Sequence, residues 1–307
     1  MSQTPTDAPT QAFLDHRELM FSVVYGMLGS VADTDDVLQE TWLSWHRRAS
    51  DPTADPVQHT RSYLVRVAVN HALNRQETIR NRRETYPGPW LPEPVVWQQE
   101  DRRDVAAESV SLALLVVLET LSPLERAVFV LHEVFGFRYG EVARILGRSP
   151  AATRQLGHRA RRHVRTRRPR YPAEPRVHEE LVERFVAAAL GGDLAALLEM
   201  LAPGVTMTVD GGGTRRAPRR PVHGRDEVTR LIGGLSSGTG LDVRFRTVNN
   251  DPAAVLLDGD TVFAVMVLDL TPDGQQVNEI YTIVNPDKLS SLHAPVGSPG
   301  TRGGQGS

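Results

Sequence analysis

Apolar residues recur at helical spacing through the first half of the chain and alternate along short runs in the last third, and that change of period divides the molecule. Phe13, Met20, Val23, Val24, Met27 and Leu28 predict one helix, which Gly29 ends. A second helix follows at once. Asp33 suits its N-cap, Asp35 and Asp36 complement the positive end of its dipole, and Val37, Leu38, Thr41, Trp42 and Trp45 form its apolar stripe. That stripe leaves Asp36, Gln39 and Glu40 on the outer face. The run ASDPTADPVQH breaks the pattern with two prolines. Beyond it, RSYLVRVAVNHALNRQETIRNRRE predicts a long helix with Tyr63, Leu64, Val67, Ala68, Ala72 and Leu73 inward. Its other face carries Arg66, Asn70, Asn74, Arg75, Arg80, Arg82 and Arg83 and becomes basic toward its end.

The most informative stretch runs from Leu121 to Arg168. Tyr139 to Leu146 places Val142, Ala143, Ile145 and Leu146 on one helical face, and Gly147 supplies a turn without a Cβ penalty. Ser149 suits an N-cap and Pro150 the first position of a second helix. Thr153, Leu156, Ala160 and Val164 then face inward, while Arg154, His158, Arg161 and Arg165 line the opposite side, flanked by Gln155, Arg159 and Arg162. This is the pattern of a helix-turn-helix, and its cationic face points to nucleic acid. Guanidinium forks match phosphate and guanine edges, and Gln155 fits an adenine edge in the major groove. Binding through several such contacts would depend strongly on salt. Gly157 costs about 1 kcal/mol relative to alanine in mid-helix, and allows close helix packing in exchange.

From Arg176 the helical VHEELVERFVAAALGGDLAALLEMLAP gives way to strand-like VTMTVD, LDVRFRTVNN, AAVLLD, TVFAVMVLDL and QVNEIYTIVN. GRDEVTRLIGGL inserts a helix, and LDGDT and TPDGQQ supply hairpin turns. The third unit is therefore α+β. The tail from His293 is predicted to be disordered.

Composition narrows the function. At 307 residues and 40% hydrophobic the chain can bury more than one core. The net charge of −2 conceals the basic run through Arg170, so local charge is the useful quantity. The absence of cysteine excludes disulfides, a thiol switch and Cys-ligated metal, and no metal or cofactor is expected. No signal peptide and no membrane-spanning run of about 20 apolar residues is legible, so the cytoplasm is the expected location. Lys288 is the single lysine of an arginine-rich chain.

The order DTDDVLQETWLSWHRR, RSYLVRVAVNHALNRQ, then the Leu121 to Arg168 block resembles an extracytoplasmic-function sigma factor of bacterial RNA polymerase over roughly the first 170 residues. The resemblance implies core RNA polymerase and promoter DNA as partners. In the family, the segment containing Asp36, Gln39 and Glu40 meets the polymerase clamp helices. Arg61 to Arg83 resembles the segment that opens the promoter's −10 element, with Arg61, Asn70, Arg75 and Arg80 as DNA contacts. The helix-turn-helix would read the −35 element through Arg154, Gln155, His158, Arg159, Arg161 and Arg162. Between them, the proline-rich TYPGPWLPEPVVWQQED carries Trp90 and Trp97. Its WLPEP run (Trp90, Leu91, Pro92, Glu93, Pro94), the DGGG run (Asp210, Gly211, Gly212, Gly213) and NPDKL (Asn285, Pro286, Asp287 onward) resemble signatures of a sigma subgroup with a fused C-terminal domain. Thr214 stands where that subgroup usually has lysine.

The expected architecture is multidomain: two all-α sigma domains, the second with the helix-turn-helix, and a C-terminal α+β, cone-shaped SnoaL-like domain of the nuclear-transport-factor class. The boundaries read as 1–84, a linker over 85–110, 111–170, 176–292, and a tail over 293–307. The resemblance implies that the fused domain regulates the other two in place of a separate anti-sigma protein, and its cone leaves room for an unknown small ligand. Two other classes compete. An enzyme would use Asp210, His223 and Tyr281 for acid–base chemistry in the cone. A ligand-sensing repressor would explain the helix-turn-helix but leave DDVLQET and WLPEP without a role.

Overall fold

A computed structural model describes residues 8–96, 110–167, 174–236, 240–290 and 292. Trp97, the Arg168–Arg170 end of the basic run and the tail from His293 lie outside the described residues. Four helices open the chain: α1 (Ala8–Leu14), α2 (Arg17–Leu28), α3 (Val31–Ser50) and α4 (Thr60–Glu84). The first predicted helix is therefore two, separated at Asp15 and His16. Gly29 ends α2 in the left-handed conformation with its N–H on the Tyr25 carbonyl, as a C-terminal glycine should. The cap of α3 differs from expectation. Ser30, not Asp33, accepts from the backbone N–H at the third position, and Asp33 is instead buried beneath basic side chains of α4.

The next four helices are α5 (Leu112–Leu118), α6 (Pro123–Phe129), which runs on into a π-type turn over Val130–Val134, α7 (Tyr139–Leu146) and α8 (Pro150–Arg167). Met20, Val24, Leu64 and Ala68 of the first group and Leu118, Val128, Val130 and Leu131 of the second belong to one continuous hydrophobic cluster. The two helical units thus share a core, which burial of apolar surface holds together without regard to chain order.

The remaining chain forms α9 (Pro175–Gly191), α10 (Leu194–Met200), β1 (Leu201–Asp210), β2 (Val222–His223), α11 (Arg225–Ser236), β3 (Asp242–Val248), β4 (Asp251–Asp258), β5 (Thr261–Leu270), β6 (Val277–Ile283) and the short α12 (Pro286–Leu289). The sheet order is β2-β1-β6-β5-β4-β3, with β1 parallel to β6 and every other pair antiparallel. Alternation gives the sheet two apolar faces. Ile280 and Leu268 pack with Phe185, Leu197 and Val228 of the helices, while Val265, Val267, Tyr281 and Ile283 pack with Leu91 of the linker and Leu112 and Ala113 of α5. The second face thus carries the linker and the start of the helix-turn-helix unit on the C-terminal domain. At the sheet edge Val96 bridges Val248. Asn249 and Asn250, both at positive φ, make the two-residue turn from β3 to β4.

One pair of carboxyls on this sheet gives a pH prediction. Glu279 lies opposite Asp269 in the β5–β6 register, and burial, with the Asp269 charge adding to it, pushes its pKa up from 4.5 to about 7. A carboxyl whose pKa rises on folding stabilises the fold fully below 4.5 and loses that contribution as pH climbs through about 7. The C-terminal domain is expected to lose roughly 1–3 kcal/mol across that window, read by chemical denaturation at each pH. Glu279→Gln should flatten the dependence; an unchanged slope would assign it to other groups.

Candidate functional site

The helix-turn-helix forms as its local signals direct. Gly147 ends α7 in the left-handed region, and the Ser149 Oγ accepts from the Ala152 N–H at the start of α8. Thr153, Ala160 and Val164 are buried, and Arg154, Gln155, His158, Arg159, Arg162 and Arg165 stand on the exposed side. Gly157 faces the Tyr139 side chain of α7. A Cβ there would lie 2.6 Å from the Tyr139 Oη of α7, so the mid-helix glycine permits the crossing. Two predicted contacts are modified. Arg161 turns toward the protein, bonding Glu133 through Nε at 3.0 Å and meeting the Tyr139 hydroxyl, and it therefore braces the motif instead of extending the cationic face. Arg159 stays exposed while its Nε lies 3.1 Å from Glu125. In the first case two guanidinium nitrogens, Nε and Nη2, converge on one oxygen of a mostly buried Glu133, while Arg161 itself stays about a third exposed.

The α3–α4 pair corrects a second expectation. Arg75, expected to face a partner, reaches back to α3, donating from Nε to Asp33 at 3.0 Å and pairing with Asp36 and, at 3.7 Å, with Glu40. Arg82 adds a 2.6 Å bond to Asp33. Burial opposes charge on Asp33, but the hydrogen bonds from Arg82 and Arg75 outweigh it and hold its carboxyl below the usual range. Asp36 and Glu40 remain about half exposed, and Gln39 is exposed, so the outer surface of α3 keeps its acidic and amide character. Asn70 and Arg80 are exposed on α4. Arg61, at the start of α4, is exposed and holds its guanidinium 4.9 Å from the centre of the Phe137 ring in the segment before α7.

The three motifs named for the linker and C-terminal domain converge. Asp210, fully buried at the end of β1, accepts from the Tyr86 hydroxyl at 2.5 Å, the Leu91 N–H at 2.9 Å, the Lys288 Nζ at 2.7 Å and the Gly212 N–H at 3.2 Å. Lys288, 4% exposed, also donates to the Leu91 carbonyl and lies 3.1 Å from the centre of the Trp90 ring. Burial pushes the Lys288 ammonium down to about 8, with Asp210 pulling it back up, so it stays charged at neutral pH. Asn285 caps α12 and donates to the Tyr86 hydroxyl, whose own ionisation burial and Asp210 push up. Gly212 and Gly213 sit at φ +62 and +74, where a Cβ would lie 2.4 Å from Asn285 and 2.5 Å from Pro87. Thr214, in the position of the usual lysine, donates to the Gly211 carbonyl within its own turn.

On its other side the linker grips the first helical unit. The Glu93 carboxylate accepts from the Ser30 hydroxyl at 2.9 Å and from the Val31 N–H at 2.6 Å, so it neutralises the positive end of α3. The Tyr25 hydroxyl donates to the Glu93 carbonyl, and Asn249 donates to Tyr25 while accepting from the Val95 N–H. Leu91, Pro92 and Pro94 are buried, whereas Pro286 and Asp287 are exposed, and Asp287 meets this cluster through its N–H, which donates to the Asn285 Oδ1 at 3.1 Å. Tyr25, Tyr86, Asn249 and Lys288 complete the seat and were absent from the sequence-derived site. Lys288 carried two signals, its place in the NPDKL run and its being the single lysine in a chain that otherwise uses arginine, and Tyr86 lay in the proline-rich linker run.

The acid–base candidates do not form a catalytic group. Asp210 is committed to the linker, Tyr281 is buried in the cluster beneath it, and His223 is exposed on edge strand β2, 3.2 Å from the Thr206 hydroxyl. Among the described residues there is no cluster of metal-ligating side chains and no helix long and apolar enough to cross a membrane.

Comparison with known proteins matches Sigma-70 region 2 over residues 12–83, Sigma-70 region 4 over 111–164 and a SnoaL-like domain over 182–285. The chain is 37% identical over 289 residues to the ECF RNA polymerase sigma factor SigJ of Mycobacterium tuberculosis, covering 89% of this chain and 91% of that protein. It is 29% identical to the probable sigma factor SigI of the same species, over 95% and 98% of the two chains. The crystal structure of M. tuberculosis SigJ superimposes with a TM-score of 0.71 at 35% identity, covering 91% of this chain and 98% of that one.

Proposed function

Because this chain belongs to the extracytoplasmic-function sigma factors of bacterial RNA polymerase, we propose that it directs core polymerase to promoters and that its SnoaL-like domain governs this activity in cis through the linker seat. The observation that carries the regulatory part is the position of the linker. One strand of chain, Tyr86 to Val95, is bonded to α2 and α3 on one side and to β1, α12 and the β3–β4 turn on the other. Any change in the C-terminal domain's hold on this strand is therefore felt at the N-terminus of α3, the helix carrying Asp36, Gln39 and Glu40.

The described arrangement also restrains DNA reading. The −10 helix α4 packs in one core with the helix-turn-helix unit, and the exposed Arg61 rests over the Phe137 ring of that unit. Reading two promoter elements at once requires these units to part, so the arrangement is one side of a two-state equilibrium that polymerase or the C-terminal domain can shift. Tethering keeps the C-terminal domain at a millimolar effective concentration, and even a weak contact suffices. The SnoaL-like domain then takes the role of a separate anti-sigma protein.

Run-off transcription with core RNA polymerase on fragmented genomic DNA tests both parts. Promoter-specific transcripts are expected from the full chain or from a chain truncated near Tyr171, with different yields from the two. No transcript and no core binding from either would overturn the sigma-factor role. For the −35 face, Arg154→Ala and Arg162→Ala should each weaken promoter binding by about 1–3 kcal/mol. Comparing matched and mismatched duplexes separates base reading from phosphate contact, since a phosphate contact weakens all sequences alike and lowers the salt dependence.

A further inference from the structure

A cleft of about 560 Å³ lies between the two helical units, with Arg80, one of the expected −10 contacts, on its rim and a group of buried polar atoms in its wall. Arg83 of α4 and Arg126 of α6 meet there over a single carboxylate, Glu119, which Arg126 reaches from Nη1 at 2.8 Å. Two guanidiniums against one carboxylate leave one positive charge uncompensated. The remaining protein bonds do not use all their donors. Arg126 Nε donates to the Gly26 carbonyl and Arg83 Nη2 to that of Leu28, whereas Arg83 Nε and Arg126 Nη2 are buried and make no hydrogen bond among the described residues. The same holds for the Trp90 Nε1 and the Gln76 Oε1, both on residues that line the cleft. Burial pushes both guanidiniums down, the direction expected for cations without enough counter-charge. The walls between these groups are partly apolar, with Met27, Leu28, Leu73 and Ile79 from the first unit and Leu121 and Pro123 from the second, while Glu77 and Arg80 on the same wall bring one charge of each sign and leave the excess at Arg83 and Arg126.

We propose that this cleft binds a small organic oxyanion, a phosphomonoester or carboxylate carried on an apolar body, and so clamps the two helical units together. Each guanidinium keeps one nitrogen without a bond among the described residues, Arg83 Nε and Arg126 Nη2, and these two donors suit separate oxygens of one planar or tetrahedral oxyanion, which would supply the missing counter-charge. An apolar body would cover the aliphatic walls. Trp90 makes the cleft sensitive to the C-terminal domain, because its ring lies between the Arg83 guanidinium, 4.6 Å away, and the Lys288 Nζ. The consequence for transcription rests on the sigma-factor reading, but the binding itself does not.

The test titrates the full-length chain calorimetrically with phenyl phosphate, benzoate and inorganic phosphate. Saturable one-site binding of phenyl phosphate or benzoate is expected, at least about tenfold tighter than inorganic phosphate, which has no apolar body. The bound probe should raise the midpoint of thermal unfolding. Arg83→Lys keeps a charge but loses the fork and should weaken binding about tenfold. Trp90→Phe leaves the buried ion pairs intact, and the loss of the one indole N–H donor should cost about 3- to 10-fold. No saturable binding of either organic probe overturns the proposal, as does binding that both variants leave unchanged or that inorganic phosphate matches. Run-off transcription is scored separately, so an empty titration and a failed sigma-factor role are distinguishable outcomes.

Discussion

Asp210→Ala is expected to destabilise the assembled chain by about 3–5 kcal/mol and to shift promoter-dependent transcription to the level of the chain truncated near Tyr171. The size follows from what the carboxylate holds. Removing it leaves the Lys288 ammonium, 4% exposed, without its counter-ion and takes the acceptor from Tyr86 and from the Leu91 N–H. A buried charge without a partner costs far more than the pair contributes when intact. The control is the double variant Asp210→Ala, Lys288→Met, which removes both charges and should recover a large part of the lost stability while leaving the linker unanchored. Chemical denaturation reads the first effect and run-off transcription the second. If the single variant is as stable as the parent, the ion pair is not the anchor. If it is unstable but transcribes as the parent does, the seat is structural and does not regulate.

Gly213→Val should have a comparable effect on transcription for a different reason. The residue sits at φ +74, where a β-branched side chain is strained, and its Cβ would lie 2.5 Å from the rigid ring of Pro87. Neither obstacle can be relieved by rotating a flexible side chain, so the linker must move away from the C-terminal domain. The expected cost is at least about 1–3 kcal/mol. The helix-turn-helix lies elsewhere, so the −35 duplex affinity of the folded variant should stay within about twofold of the parent's. Transcription that stays at the parental level would show that the DGGG turn can shift without consequence for the units it touches.

Much of the fold was legible because its signals are local. Helical periodicity, the left-handed glycines after α2 and α7, Ser149 with Pro150, and the short apolar runs of β4 and β5 between turn residues all act within a few residues. The misplaced details are also instructive. Asp33 and Ser30 are both good capping residues, and sequence alone cannot show that two arginines from α4 will claim the aspartate. Arg161 has the same spacing as Arg154 and His158, yet a carboxylate on the preceding π-type turn draws it inward. Thus a helical face known only by its period overstates the charge available to a partner.

The amino-acid sequence by itself determined the kind of parts this protein has: two helical units, a basic recognition helix, an α+β domain, and motifs whose order marks a sigma factor. Those properties depend on neighbours three or four residues apart, or on short runs of residue types. Only the tertiary structure decided how the parts are joined. Asp210 and Lys288 are 78 positions apart, Glu93 and Ser30 are 63, and Asn249 and Tyr25 are 224. No periodicity reaches across such distances. Each of these polar groups is stable only where burial and a geometrically matched partner coincide, and that coincidence depends on the path of the whole chain.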